Sequence, residues 1–507
     1  KNFQAMSPAA KLIFIVVVSF AVIPSLSAPS KAAAGWSDIS WDFEGEDHKL
    51  TVTGTLPSWL KGSLYRNGPA IWRFGDQAQN PHWFEGLGFV QAFHFDGTEN
   101  VSFYCSFVNS SEYNYYDPYS NYTQKVNSPN SQVTIRRVNG NLLANDGNPL
   151  SNSFDPITTK TVEHPYVYDD ASMANPIYNE ACPSHAQTAP NGEVFHFLYV
   201  FSQNATETPG YYQLYHIPPN TNARIMAPNK IYPNKNVNQP LFQHMHGLTE
   251  HYVILCEVPF NLFNGEWMAG LGVSWYVVDK YSAELVATFY SDAFMYWHWA
   301  NSYEFVNETT GELNIAVDII IDVNGTVYDA LYINTMIYDW EWSVDMFCTG
   351  NLTRFVLPLN RSGAQVEPVK INEYSGVEMP VIWYEKYNTK PYEYVYQVAV
   401  KNCDATDSQR SQFWDSLMKT RVSFDGSGET VVWSLPNIYL NEPIFAANPQ
   451  ATKEDDGVLL VEGMDSTTNS SFLFVVNATD MTEIARVQPS VLKTIPFGFH
   501  GRFYAQQ

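Results

Sequence analysis

The 507-residue sequence predicts an all-β protein of the propeller class, and three features of its layout point there. Short runs rich in Val, Ile, Tyr, Phe and Trp recur from about residue 50 to the C-terminus. Gly, Asn, Asp and Pro turns separate them, and no linker divides the middle of the chain. A propeller can hold several hundred residues around one axis, whereas sandwiches usually stop sooner. No exact repeat is visible, so the blade number is not read from periodicity.

In chain order, "MSPAAKLIFIVVVSFAVIPSLSA" (Met6 to Ala28) has one Lys, an apolar run and then small residues, the layout of a secretory signal peptide. The apolar run is short and interrupted by Pro, whereas a bilayer span needs about 20 apolar residues. "APSKAAAG" follows as a linker, so residues 1–34 read as leader and linker and 35–507 as one domain. "EVFHFLYVFS", "HYVILCEVPF", "SWYVVDK", "LNIAVDIII", "GVLLVEG" and "SFLFVVNATD" read as strands. "TDSQRSQFWDSLMK" (Thr406 to Lys419) is the clearest helical candidate.

Hydrophobic residues make up 45% of the chain and charged residues only 16%, which describes a folded protein with a large core. The formal charge of −24 excludes nucleic acid, whose phosphates require a basic face. Ten Asn-x-Ser/Thr sequons, at Asn100, Asn109, Asn121, Asn204, Asn307, Asn324, Asn351, Asn360, Asn469 and Asn477, suit a secreted protein carrying N-linked glycans. Five scattered cysteines without a CxxC pair leave room for one or two disulfides, with one thiol over, and argue against a cysteine-based zinc site.

Of the 12 histidines, four share a context beside strand-like runs and near Gly or Pro: His185 in "CPSHAQTAPNG", His244 in "FQHMHGLTEHY", His298 in "YWHWANSYEF" and His500 in "IPFGFHGRF". Gaps of 59, 54 and 202 residues are too long for a local chelating loop. In a propeller the innermost strands converge, so one His from each of four blades can meet on the axis. The spacing permits such a site without demanding it, since a strand histidine is commonly a hydrogen-bonded core residue. His48, His82, His94, His164, His196, His216 and His251 carry no distinguishing context.

With their flanks, these four histidines resemble the iron ligands of the carotenoid cleavage oxygenase family, in particular its animal branch. The resemblance runs through "LPSWLKGSLYRNGPA" (Leu56 to Ala70), "HWFEGLGFVQAFHFDG" (His82 to Gly97), "KPYEYVY" (Lys390 to Tyr396), "NEPIFAANPQATKEDDGVLL" (Asn441 to Leu460) and "IPFGFHGRFY" (Ile495 to Tyr504). It implies a seven-bladed β-propeller with a helical and loop cap over the metal-bearing face, and Fe(2+) held by His185, His244, His298 and His500. His246 falls where the family usually has an aromatic residue. Metal-bound histidines normally pass their second N–H to an acceptor, often a carboxylate. Two of the family's three glutamates for this role match Glu378 in "GVEMPVIWY" and Glu442 in "NEPIF"; Gly147 stands where the third is expected, beside Asp146.

The resemblance implies an iron dioxygenase that uses dioxygen to cut a conjugated double bond of a carotenoid or apocarotenoid. The metal then carries the chemistry, with no side chain needed as acid or base. The alternative is a secreted carotenoid carrier on the same fold, which the Gly147 position favours. "CSFVNSSEYNYYDPYSNYTQKVNSPNSQ" (Cys105 to Gln132) replaces the apolar segment of animal relatives with a short polar stretch bearing two sequons, so no strong membrane association is expected. In strand alternation, Trp297 and Trp299 should point away from a metal that His298 faces.

Overall fold

The computed structural model describes residues 28–506 apart from 42, 76–78, 118–128, 170–179, 203, 205–207, 234–236, 263, 406–409 and 425–426. The expected leader, except for Ala28, and the sequon at Asn121 lie outside them. Every run read as a strand overlaps one: the six quoted above fall on Val194–Val200, Tyr252–Glu257, Val273–Asp279, Leu313–Asp322, Gly457–Asp465 and Ser470–Asn477. Most of their residues are buried on both faces, which explains continuous apolar runs in place of strict alternation.

The strands form seven antiparallel sheets of four or five strands, the blades of a seven-bladed propeller. The strands nearest the axis pack side by side: Gly247–Leu248 against Met295–Val306, then Val377–Val381, Ile438–Ala447, His500–Ala505 and Thr134–Val138. His185 completes the circle by bridging to Met245. Two sheets mix the chain's ends, because Lys61–Pro69 pairs with His500–Ala505 and Thr51–Gly54 with Glu483–Gln488. This closure ties the first blades to the last and leaves each blade only short edges.

Between Leu313–Asp322 and Asn351–Pro358 the chain leaves the sheet for a helical insertion, Gly325–Val327, Asp329–Leu331, Ile333–Tyr338 and Trp340–Phe347. Its apolar residues Ile333, Met336 and Val344 join the same core cluster as Trp83, Trp414 and Phe497. A disulfide from Cys348, just past the last helix, to Cys403 ties it to a neighbouring blade, while Cys105, Cys182 and Cys256 are buried thiols.

The helix expected over Thr406–Lys419 is not formed. Residues 406–409 lie outside the described set, and Ser416–Arg421 is a strand between Tyr394–Ala399 and Thr430–Ser434. As a middle strand it buries consecutive residues, and with Phe413 and Trp414 buried just before it, Leu417 completes what imitates a helical stripe.

Candidate metal centre

Each of the four histidines leaves an inner strand, or the turn beside one, where regular pairing is disturbed. His185 sits between Glu180–Ala181 and Gln187–Thr188, two short strands that both pair with Val194–Val200. His244 comes just before Gly247–Leu248. That glycine is required by packing, because a Cβ there would lie 2.3 Å from the Trp299 ring. His298 occupies a strand whose register shifts on either side of Trp299, and His500 opens the closing strand opposite Asn67.

The structure brings all four rings together. His185 Nε2 lies 3.1 Å from His244 Nε2, and His298 Nε2 lies 3.1 Å from His500 Nε2. Donor atoms of His185, His298 and His500 fall within 4.8 Å of one another. Neighbouring nitrogens around one octahedral ion stand about 3.0 Å apart when metal–nitrogen distances are about 2.1 Å. Both pairs match this edge.

Protonation makes the same point independently. His298 Nδ1 donates to Glu378 Oε2 at 2.6 Å, and His500 Nδ1 donates to Glu442 Oε1 at 2.8 Å. The carboxylates therefore claim the Nδ1–H of both rings, and in a neutral imidazole that tautomer turns the Nε2 lone pair towards the other ring. Two lone pairs 3.1 Å apart cannot hydrogen-bond to each other. A cation between them resolves the repulsion, so the donor set fits a metal ion. Burial, reinforced by the other imidazoles, pushes the pKa of His185 and of His244 well below the ordinary histidine value, which keeps them neutral and able to ligate. His500 is lowered by burial too, an effect that Glu442 opposes.

Glu378 and Glu442 lie where the sequence expects partners of the histidines. Among the described residues, carboxylates pair with His298 and His500 and with neither His185 nor His244. Asp146 accepts instead from the backbone N–H groups of Ser131 and Asn148, and burial raises its carboxyl to about 6. A side chain at Gly147 would have room, since an added Cβ meets nothing nearer than the Cys182 carbonyl at 3.6 Å.

One expectation from alternation is corrected. Trp299 turns away to pack on Trp275, but Trp297 stands edge-on to His244 with ring centres 5.1 Å apart. The register shifts beside Trp299 break the strict two-residue period. Trp297, Phe84 and Phe242 form an aromatic wall around His244, and Tyr328 of the helical insertion stacks on Trp297. His82, undistinguished in the sequence, is buried against Tyr328, and its Nδ1 caps the turn that presents Phe84. His246 is buried and stacks on His196 instead of joining the cluster. Beneath the rings, a cavity of about 170 Å³ opens on His185, His298 and His500, lined also by Met379, Phe445 and Arg502.

The chain is similar to known proteins along nearly its whole length. A family model described as retinal pigment epithelial membrane protein matches residues 40–505. The chain is 25% identical to the beta,beta-carotene 15,15'-dioxygenase of Gallus gallus, over 91% of this chain and 96% of that protein. It is 26% identical to the carotenoid isomerooxygenase of Galleria mellonella, over 89% and 93%. Among solved structures, a Synechocystis apocarotenoid oxygenase variant superimposes with a TM-score of 0.72 at 20% identity, covering 95% of this chain and all of the other. A cobalt-substituted form of that oxygenase gives 0.70 at 21% identity, over 94% and 98%.

Proposed function

The chain belongs to the retinal pigment epithelial membrane protein family, which includes the carotenoid oxygenases, and from that membership we propose a secreted non-haem iron(II) dioxygenase that cleaves a conjugated double bond of a carotenoid or apocarotenoid. The observation that carries the reading is the convergence of four imidazoles, two of them held by carboxylates with facing lone pairs. His185, His244, His298 and His500 would hold the ion, which supplies Lewis acidity and the means to activate dioxygen. Imidazole also suits copper, zinc and nickel, so the choice of iron leans on the family.

The protein's own part is to bind, orient and keep dry. Glu378 and Glu442 fix the ring orientations of His298 and His500 and raise their basicity. Phe84, Phe242 and Trp297 offer an apolar, π-rich wall beside His244, suited to a polyene and hostile to water. No acid or base group is required of the protein.

Secretion is supported by the leader-like Met6–Ala28, by the Cys348–Cys403 disulfide and by nine described sequon asparagines of which none is buried. Among the described residues, no helix is long and apolar enough to cross a membrane.

A second reading, a secreted carotenoid carrier with little cleavage activity, is favoured by one observation: neither His185 nor His244 has a carboxylate partner among the described residues. Loss of such a partner costs about 10- to 100-fold in metal affinity or activity. Metal analysis of the purified protein, with the visible spectrum of an added carotenoid followed under oxygen, separates the two. Loss of the polyene bands with carbonyl products refutes the carrier, and a stable, shifted spectrum without products refutes the oxygenase.

A further inference from the structure

We propose that Arg66 is a positioning residue of the metal centre, acting on His500 through Glu442. The inference rests on the reading of the four histidines as one metal site. Arg66 lies on Lys61–Pro69, directly opposite Gly501 in the closing sheet, and is 1% exposed. Its Nη1 donates to the Glu442 backbone carbonyl at 2.8 Å and lies 3.6 Å from Glu442 Oε2. Its Nε donates to Glu462 Oε2 at 3.2 Å. The Glu442 carboxylate thus faces three groups: His500 Nδ1–H on Oε1, Gly501 N–H on Oε2 at 2.8 Å, and the guanidinium.

Two features show that the fold makes room for this arrangement. The strand Ile438–Ala447 shifts register between Leu440 and Pro443, a bulge that re-aims Glu442. Gly501 must be small, because an added Cβ would lie 2.8 Å from Arg66 Cδ and 2.7 Å from the Tyr65 carbonyl. The glycine after His500 is therefore the opening through which the Arg66 stem reaches Glu442.

The other carboxylate–imidazole pair has no such cation. Glu378 Oε2 accepts from His298 Nδ1 and from the Met379 backbone N–H, its Oε1 is buried without a partner, and among the described residues no Lys or Arg comes within ion-pair range. A carboxylate that accepts the second N–H of a ligating histidine raises that ligand's basicity. A guanidinium sharing the carboxylate draws off part of that charge and fixes its rotamer. The centre is accordingly unequal: His298 is the stronger donor, and His500 is weaker but more firmly aimed.

The test uses full-length protein loaded with Co(II), comparing wild type, Arg66→Met, Arg66→Lys, Glu442→Gln and the Arg66→Met/Glu442→Gln double variant. Readouts are affinity by chelator competition, the visible ligand-field bands and thermal stability. Arg66→Met is expected to weaken cobalt binding about 10-fold and to shift the bands, with Arg66→Lys restoring part of both. In the Glu442→Gln background, Arg66→Met should add nothing further, because the path runs through Glu442. If Arg66→Met lowers only the melting temperature, leaving affinity and bands in place, Arg66 merely ties two blades and the proposal falls. Should Arg66→Met not fold, Glu462→Gln releases the guanidinium towards Glu442 and must move the bands; unmoved bands overturn the idea. A wild type that takes up no cobalt overturns the metal reading and this proposal with it.

Discussion

The four imidazoles are held with unequal security, and that inequality sets what single substitutions should do. His244 has an aromatic enclosure and a 3.1 Å neighbour in His185. His244→Ala removes one of four donors and should abolish stoichiometric metal, read by elemental analysis of the purified protein. His251, only seven residues on, is mostly exposed and pairs with Glu304 at the surface. His251→Ala should keep full metal content, with stability within about 0.5 kcal/mol of wild type. Retention of metal by the first variant would overturn the ligand assignment. His82 gives a pH-dependent counterpart. Burial lowers its folded pKa to about 4, against about 6.5 unfolded. Between these values the unfolded chain binds the proton that the folded chain refuses, so the stability from neutral His82 is present above about 6.5 and is lost as pH falls towards 4. His82→Asn keeps a side-chain cap but has no such titration. The stability gap between wild type and variant, from urea unfolding, should shrink by about 2 kcal/mol between pH 7 and pH 5; a constant gap would show that His82 does not titrate this way.

Among the elements, the helical insertion is the part that roofs the site without belonging to a blade. Trp340–Phe347 ends beside Cys348, whose disulfide to Cys403 closes a 55-residue separation. Chain entropy assigns such a closure about 4 kcal/mol, and removing a native disulfide typically costs ~2–5 kcal/mol. Arg410 adds an ion pair to Asp345 at 2.5 Å, and Phe347 packs on Phe413 and Trp414. Cys348→Ser with Cys403→Ser should lower the melting temperature by several degrees and expose residues 325–347 to protease, while metal content stays intact because no ligand touches the insertion's end. Coincident loss of metal and protease resistance would show that roof and ligand cluster unfold as one unit. The strands beneath this roof were legible in the sequence because their apolar residues form uninterrupted runs. Ser416–Arg421 was not, since a strand buried on both faces next to Phe413 and Trp414 carries no two-residue period. The direction of Trp297 was hidden for a related reason: a bulge leaves no mark in composition.

At the scale of the molecule, what sequence can reveal depends on whether a residue's role is marked by a word that resembles a known family. His185, His244, His298, His500, Glu378 and Glu442 are recognisable through their flanks, which resemble those of the carotenoid cleavage oxygenases, and the structure brings them together. The role of Arg66 carries no such mark, because its partner Glu442 lies 376 residues away and is met only when Lys61–Pro69 pairs with the last strand to close the ring. The same closure places turns on the outside, which gives the sequons a testable order. At Asn307, Asn324 and Asn477 the side-chain Oδ1 accepts from the N–H two residues on, so the turn uses the oxygen and not the Nδ2 that would carry a sugar. At Asn351 the Nδ2 itself donates to the Thr349 carbonyl at 2.5 Å, in the first residue of a paired strand. At Asn360 it donates to Glu312 at 2.6 Å. A glycan at Asn307, Asn324 or Asn477 leaves the turn's hydrogen bond in place, whereas one at Asn351 occupies the nitrogen that donates to Thr349 and leaves it a single N–H; losing that strand-end bond costs about 1 kcal/mol. Glycopeptide mapping of the protein recovered from culture medium should therefore find Asn307, Asn324 and Asn477 occupied and Asn351 largely bare. The reverse order would mean that the folded structure does not decide occupancy. Protein retained inside the cell, without glycans and with Cys348 and Cys403 reduced, would refute secretion outright.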